Sequence, residues 1–396
     1  MEFIKIICNA STGGPQKINF LANVPRNGRT DRKAKNWKLR SKRPISILIL
    51  IVDSTSRTEA YRALNKTMDI LVNKLNFVDF KGHHPVAEPT MNNALALLMG
   101  LRPEDILKQY KFSRRDFWDN VPFIWDIFNQ MDFITGYFED LPMYGTFNYG
   151  GQKGFLRRPT DLTLRPIMLA LNAQFPYKKK NFCFGQRAVT KFMLDHQFEA
   201  MQRFRDTPTF FVSWPVWPQH DVPHSLYTQD DNYAEFFEKI SKDEDLLENT
   251  LFVFSADHAF KWDEYANTKF GLLERRTVPL LIRVPNRLQR EFPQVVDNLL
   301  WNSEIVTCHY DIYRTLLHLV KHFDESGLLE GQGSEKYGWS LLEKLPRTRS
   351  CKEASVIPTM CSCNLPLLED DTKFLFPNHS HNPELLIDSH EFPRFG

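Results

Sequence analysis

The stretch from Ile45 to Asp53 (ISILILIVD) constrains this chain more than any other. It is an almost unbroken run of Ile, Leu and Val. Such a run fits a strand buried on both faces, as in a parallel sheet covered on each side by helices. The run stops on a carboxylate. In open α/β sheets the ligand crevice lies outside the carboxyl ends of the strands. Asp53 therefore stands where ligands gather, although an Asp at that position also serves as a cap for the following helix.

The same design recurs along the chain. Thr209 to Trp214 (TFFVSW) leads into His220, Asp221 and His224, and Leu251 to Ala256 (LFVFSA) runs directly into Asp257 and His258. Phe133 to Phe138 and Val278 to Val284 read as further strands, and Phe77 to Phe80 as a short one. Between them, apolar residues recur at helical spacing. Leu64, Met68, Leu71 and Leu75 predict a helix over 58–75, and helices are also expected after Thr90, from Phe123 to Met131, from Arg187 to Phe204, over 231–241 and from His309 to Val320. This alternation predicts an α/β fold over 45–340, with a mostly parallel central sheet and helices on both faces. Residues 141–180, with several Gly and Pro, read as loop. Residues 1–44 carry nine Lys or Arg between Arg26 and Arg43 and are expected to be a basic, irregular segment. Residues 341–396 are expected to form an irregular, cysteine-containing tail.

Charge excludes some classes of function. A net charge of +2 gives no drive toward nucleic acid. Aromatic residues make up 13% of the chain, which is the composition of a packed globular protein. No apolar stretch reaches the ~20 residues that span a bilayer, and residues 1–10 lack the long apolar core of a signal peptide. The six cysteines contain no Cys-x-x-Cys, so a zinc ribbon is not expected. They read as free thiols in a reducing compartment or as disulfides in a secretory one.

In a parallel sheet, Asp53, the His220-Asp221 pair and the Asp257-His258 pair all stand at one edge. Carboxylates and imidazoles gathered there suit a divalent cation, with zinc, manganese and calcium as candidates. His220 and His224 are four residues apart, and His309 opens a helix with Asp311 behind it, so each is a further candidate ligand. Thr90 is expected in the first turn of a buried helix. Free N–H groups and the helix dipole favour an anion there, and a nearby metal can turn the hydroxyl into a nucleophile. Asn93, one turn later, could donate to a substrate oxygen. A plain capping Thr accounts for the same hydroxyl.

Many separate motifs here fall in the order seen in one family. They are ILILIVDSTSR, EPTMNNALALLMGL, VPFIWDIF, GYFEDLPMYGTFNY, RRPTDLTLRP, FSADHAF, ERRTVPLLIRVP, CHYDIYRTLLHL and the strand before His220. Over residues 45–365 the chain resembles the family catalogued as domain of unknown function 229, which is similar to a branch of the alkaline phosphatase and sulfatase superfamily. The pattern of Cys351, Cys361 and Cys363 is also similar. The resemblance implies a two-metal site beside a Ser, Thr or modified Cys nucleophile. Asp53 would match the aspartate after the first strand, Thr90 and Asn93 the Thr-x-x-Asn of nucleotide pyrophosphatases/phosphodiesterases, and Asp257 with His258 the Asp-His pair of one metal site. There are departures. Ala259 stands where Gly usually follows, and Asn92 where the phosphodiesterases have Pro. No Asp lies four residues before His220 or His224, so the second metal site would have to use His220, Asp221, His224 and His309 in another way. The sulfatase Cys-x-Pro-Ser-Arg signature is absent.

The resulting expectation is a metal-dependent phosphoester hydrolase or transferase with a Thr nucleophile, with a sulfoester as the lesser substrate. A phosphoethanolamine-type transferase and an inactive extracellular binding protein on the same fold are the alternatives. Expected substrates are small molecules or glycan- or lipid-linked esters. By resemblance the compartment is extracellular or the secretory lumen.

Overall fold

The structure is a computed structural model that describes residues 2–9, 17–39, 44–113, 115–176, 182–184, 187–222 and 224–364. Its centre is a seven-stranded sheet. The strands are β1 (Ser46–Ile51), β2 (Val78–Asp79), β3 (Ile134–Glu139), β4 (Leu162–Thr163), β5 (Thr209–Trp214), β6 (Thr250–Ser255) and β7 (Leu280–Arg283), in the spatial order β2-β7-β6-β1-β5-β3-β4. β1 lies in the middle, parallel to β5 on one side and to β6 on the other. β3 and β4 continue the parallel half. β7 runs antiparallel to β6, and β2 antiparallel to β7. The sheet is therefore mixed but mostly parallel, with helices packed around it. Every residue of β1, β5 and β6 is buried, which is why these strands read as continuous apolar runs without alternation. Each Ile or Leu buried in β1 contributes about 1.5–3 kcal/mol.

The helices that matter for the site are α1 (Gly28–Lys38), α2 (Thr90–Met99), α3 (Pro103–Tyr110), α4 (Arg165–Gln174), α5 (Val189–Arg203) and α6 (His309–His322). α2 is buried from Asn93 to Met99, and Ala94 to Met99 are apolar on every side. Gly100 ends it in the left-handed region at φ +64°, and the Tyr313 ring of α6 lies where a Cβ would stand. A larger residue there would be strained and would push the two helices apart.

Several expectations need correction. The described part of the N-terminal segment contains regular structure. Phe3–Cys8 pairs antiparallel with Lys17–Ala22, and α1 begins on a capping box formed by Asn27 and Thr30. The basic run conceals a helix that buries one face. Lys33 is almost wholly buried and uses its ammonium on Asn129 Oδ1, the Phe133 carbonyl and Asp161 Oδ2 at 2.6–2.7 Å. A run of positive charges hides such a face because the buried lysine reads like its solvated neighbours. The end of that run, residues 40–43, lies outside the described residues. The helix expected over 58–75 is broken into Arg57–Ala63, Asn65–Asp69 and a π-turn at Ile70–Lys74. The stretch expected as loop contains α4, whose Pro166 sits at the helix start, where a missing N–H costs little.

The described part of the C-terminal tail, 341–364, has two short 3-10 turns, Pro358–Met360 and Ser362–Asn364. This part is tied to the domain. Arg349 forms a buried bidentate pair with Asp311 of α6, and Cys351 is bonded to Cys361. Residues 365–396 lie outside the described residues. Among the described residues no helix is long and apolar enough to cross a membrane.

Candidate active site

Strand register brings the acidic residues together. Ile51 of β1 stands beside Ser255 of β6, so two residues further on Asp53 and Asp257 leave the same sheet edge as neighbours. β5 closes the other flank, and Trp214 at its end donates its indole N–H to Asp53 Oδ2 at 3.3 Å. Between the carboxylates lies Ser54, held in the left-handed region at φ +53°. That conformation, uncommon outside Gly and Asn, lets Ser54 bridge both acids. Its N–H donates to Asp257 Oδ1 at 3.0 Å and its hydroxyl to Asp53 Oδ1 at 2.6 Å.

His258 completes the cluster. One ligand atom from each of Asp53, Asp257 and His258 lies within 4.8 Å of the other two, and all three residues are buried. The His258 Nδ1 lies 2.9 Å from the Ala259 carbonyl. A carbonyl can only accept, so Nδ1 carries a proton, which leaves Nε2 as the nitrogen that would offer a lone pair to a cation. Nε2 lies 2.9 Å from Thr90 Oγ1 and 3.3 Å from Asp257 Oδ2. Asp257 Oδ2 is buried with no hydrogen-bond partner. Burial, and after it the charge of Asp257, raises the Asp53 carboxyl well above the usual carboxylate range. Two buried carboxylates, an imidazole and a hydroxyl converge here without a Lys or Arg bonded to the carboxylates. This donor set fits a divalent cation, and the unpartnered Asp257 oxygen is the atom such a cation would satisfy.

Thr90 is the first residue of α2. Pro89 precedes it and no side chain caps the helix. First-turn N–H groups left uncapped are suited to an anion. Thr90, Asp53 and His258 open onto a cavity of about 610 Å³, whose wall also includes Asn92, His220, Asp221, Lys261 and Trp262.

The structure places the other expected residues differently. Asn93 is fully buried and does not line this cavity. Its Oδ1 accepts from Val86 N at 2.7 Å, and its Nδ2 donates to the carbonyls of Ala87 (2.7 Å) and Pro89 (3.1 Å). It braces the loop that presents Thr90. The loop curls back over this side of α2, so the residue one turn from Thr90 faces protein. His220 and Asp221 do line the cavity and pair with each other through Nδ1 at 2.8 Å. His224, at φ +63°, lines a separate small crevice with Glu59, Asp263 and Glu274. His309 is buried behind the cluster, 2.9 Å from the Ala256 carbonyl through Nε2. It is not among the three clustered ligand residues, so it supports the backbone before Asp257 instead. Among the described residues, these four do not gather into a second ligand cluster.

Two cavity residues were not singled out from the sequence. Lys261 lines the same cavity, its Nζ 3.6 Å from Glu88 Oε2. It lies three residues after His258, a spacing that could have marked it. Asn92 had been read as a departure from a motif, yet it faces the cavity.

A family model described as "Protein of unknown function (DUF229)" matches residues 1–373. No curated protein matches the chain. Solved structures similar to it include the lipoteichoic acid synthase LtaP from Listeria monocytogenes, with 13% identity, 76% of each chain covered and a TM-score of 0.49. Another is a protein in the alkaline phosphatase superfamily from Vibrio parahaemolyticus, with 13% identity, 75% of this chain and 76% of that one covered, and a TM-score of 0.48. A third is the C-terminal periplasmic domain of phosphoethanolamine transferase EptC from Campylobacter jejuni, with 12% identity, 76% and 96% covered, and a TM-score of 0.47.

Proposed function

The chain belongs to the DUF229 family, and from that premise and its own residues we propose that it is a divalent-metal-dependent phosphoester hydrolase or transferase with Thr90 as nucleophile. The observation that carries this reading is the placement of Thr90 Oγ1 2.9 Å from His258 Nε2, beside the clustered Asp53 and Asp257. Asp53, Asp257 and His258 would hold the cation, with zinc the best match to this oxygen and nitrogen set, and manganese or calcium as alternatives. When bound, it supplies polarisation of the phosphoryl oxygens and a lowered pKa at the Thr90 hydroxyl.

The chain's own residues supply the rest. The Ala259 carbonyl fixes the His258 tautomer. Ser54 and Trp214 hold the carboxylates in place. The N-terminus of α2 and Lys261 attract the substrate's negative charge. Thr90 Oγ1 forms a bond to phosphorus as the ester P–O bond breaks, and the leaving alcohol takes up a proton. Water or an acceptor alcohol then frees the phosphoryl group from Thr90, giving hydrolysis or transfer respectively. The Cys351–Cys361 disulfide supports an oxidising, extracellular or lumenal compartment.

The test is turnover of bis(p-nitrophenyl) phosphate and p-nitrophenyl phosphate by wild type and by Thr90→Ala with added zinc or manganese. Removal of the nucleophile is expected to lower kcat by about 10³-fold or more, with Thr90→Ser retaining part of it. Equal turnover by wild type and Thr90→Ala would remove Thr90 from the reaction.

A further inference from the structure

The cavity is not polar throughout. Asp53 and His258 meet Thr90 at the start of α2, and the lining continues along α2 to Leu95, more than one helical turn further on. The apolar lining is Leu95 of α2, Ile106 and Leu107 of α3, and Phe112 with Trp118. Phe112 and Trp118 lie with ring centroids 3.9 Å apart. The one polar atom of Trp118 is turned aside, donating to Gln152 Oε1 at 2.9 Å. That bond also occupies the Gln152 oxygen, so the wall offers its surface for contact more than for hydrogen bonding. Large apolar side chains that stand partly in solvent also line the cavity. Leu107 is 41% exposed, Tyr144 51%, Tyr149 57% and Trp262 72%, and all four line this cavity. A cavity lined by exposed apolar side chains together with a set of reactive groups marks a ligand-binding site.

Resting on the phosphoester reading above, we propose that the substrate is a phosphodiester with one apolar ester arm, an alkyl or acyl-bearing chain that lies along the wall of Leu95, Ile106, Leu107, Phe112 and Trp118 while the phosphoryl group sits at Thr90. A sugar in the same position would leave its hydroxyls against side chains that cannot bond them, and unpaired buried polar groups are costly. An alkyl chain loses nothing there and gains burial. Each methylene taken from water into the wall is expected to raise affinity about fourfold.

The experiment is a series of methyl, butyl and octyl p-nitrophenyl phosphodiesters, used as soluble monomers with the zinc-supplemented full chain. In parallel, methyl-, butyl- and octylphosphonate are titrated by calorimetry, so that chain-length preference is read without turnover. The expected result is a rise in kcat/KM of at least about tenfold from butyl to octyl, carried mainly by KM, and the same order of affinity among the phosphonates. Leu107→Asn, at a half-exposed position, should compress the octyl-to-methyl ratio, which a general loss of folding would not do; Phe112→Ala gives a second position in the wall at which the same compression is expected.

Absent turnover on every ester, together with phosphonate affinity that rises with chain length, would overturn the catalytic reading and leave the wall's role standing. Thr90-dependent turnover with no chain-length preference in either arm would overturn the wall's role alone. Preference for a glucosyl over an octyl diester would overturn it as well. So would a flat soluble series accompanied by activity on phosphatidylglycerol vesicles, because the membrane surface and not the wall would then be recognised.

Discussion

Two clusters of buried carboxylate in this molecule are built in opposite ways. Asp311 is fully buried and every acceptor position on it is filled. Oδ1 takes Arg349 Nη2 at 2.7 Å and Trp339 N at 2.8 Å, and Oδ2 takes Arg349 Nη1 and Cys308 N at 2.8 Å each. Asp53 and Asp257 are just as buried, but they face one another across Ser54. No Lys or Arg joins them, and one oxygen of Asp257 accepts no hydrogen bond. The first cluster closes on itself and fastens the C-terminal segment to α6. The second is left open toward the cavity. Buried charge is costly unless paired, so an open pair of carboxylates beside an imidazole is the arrangement expected of a site completed by a bound cation.

This contrast can be broken by mutation, and the largest effect is expected at the closed cluster. Arg349→Met leaves Asp311 buried and uncompensated, and should destabilise the fold by about 3–5 kcal/mol, measured by urea denaturation. A change under 1 kcal/mol would mean the pair is no anchor.

A slightly smaller effect sharpens the comparison away from both clusters. His196 of α5 packs edge-on to Phe138, and its Nδ1 is unpartnered. Burial lowers its pKa to about 4, against the opposing pull of the Ala22 carbonyl. The folded state therefore takes up its proton later than the unfolded state, whose histidine titrates near 6.5. Stability from this group is fully present above pH 6.5 and lost as the pH falls toward 4, by about 3 kcal/mol in all. His196→Gln should flatten that part of a stability-versus-pH curve. An unchanged slope would assign the acid sensitivity to other groups.

The smallest effect has the opposite sign. In metal-free protein Asp257→Asn removes a like charge beside Asp53 while keeping an acceptor for Ser54 N–H. It should stabilise by about 1 kcal/mol, whereas Asp311→Asn should destabilise. Loss of stability in both would erase the distinction between the clusters.

How much of this was legible in the sequence follows from what each residue depends on. Asp53, Asp257 and His258 directly follow strands buried on both faces, and the sheet edge was readable from those runs. Thr90 was readable because Pro89 and the apolar run after it mark a helix start. The residues that depend on how side chains turn were not legible. Asn93 and Asn92 are adjacent in the first turn of α2, and the loop from Val86 to Pro89 decides which of them faces the cavity. His220, Asp221, His224 and His309 have the right chemistry for ligands, but backbone conformation and local partners separate them. Lys33 and Arg349 sit in basic or irregular sequence, where a buried charge cannot be told from a solvated one without its distant partner. The cavity wall combines α2, α3 and the segment around Trp118, a tertiary meeting that no local spacing encodes.

The central claim, that the open acidic edge is a cation site, is tested most directly by zinc titration of metal-stripped protein followed by thermal unfolding. With zinc at about 100 times its dissociation constant, wild type should gain about 2.7 kcal/mol, and Asp257→Asn should gain little at the same concentration. Equal stabilisation of the two proteins, or none in either, would contradict it.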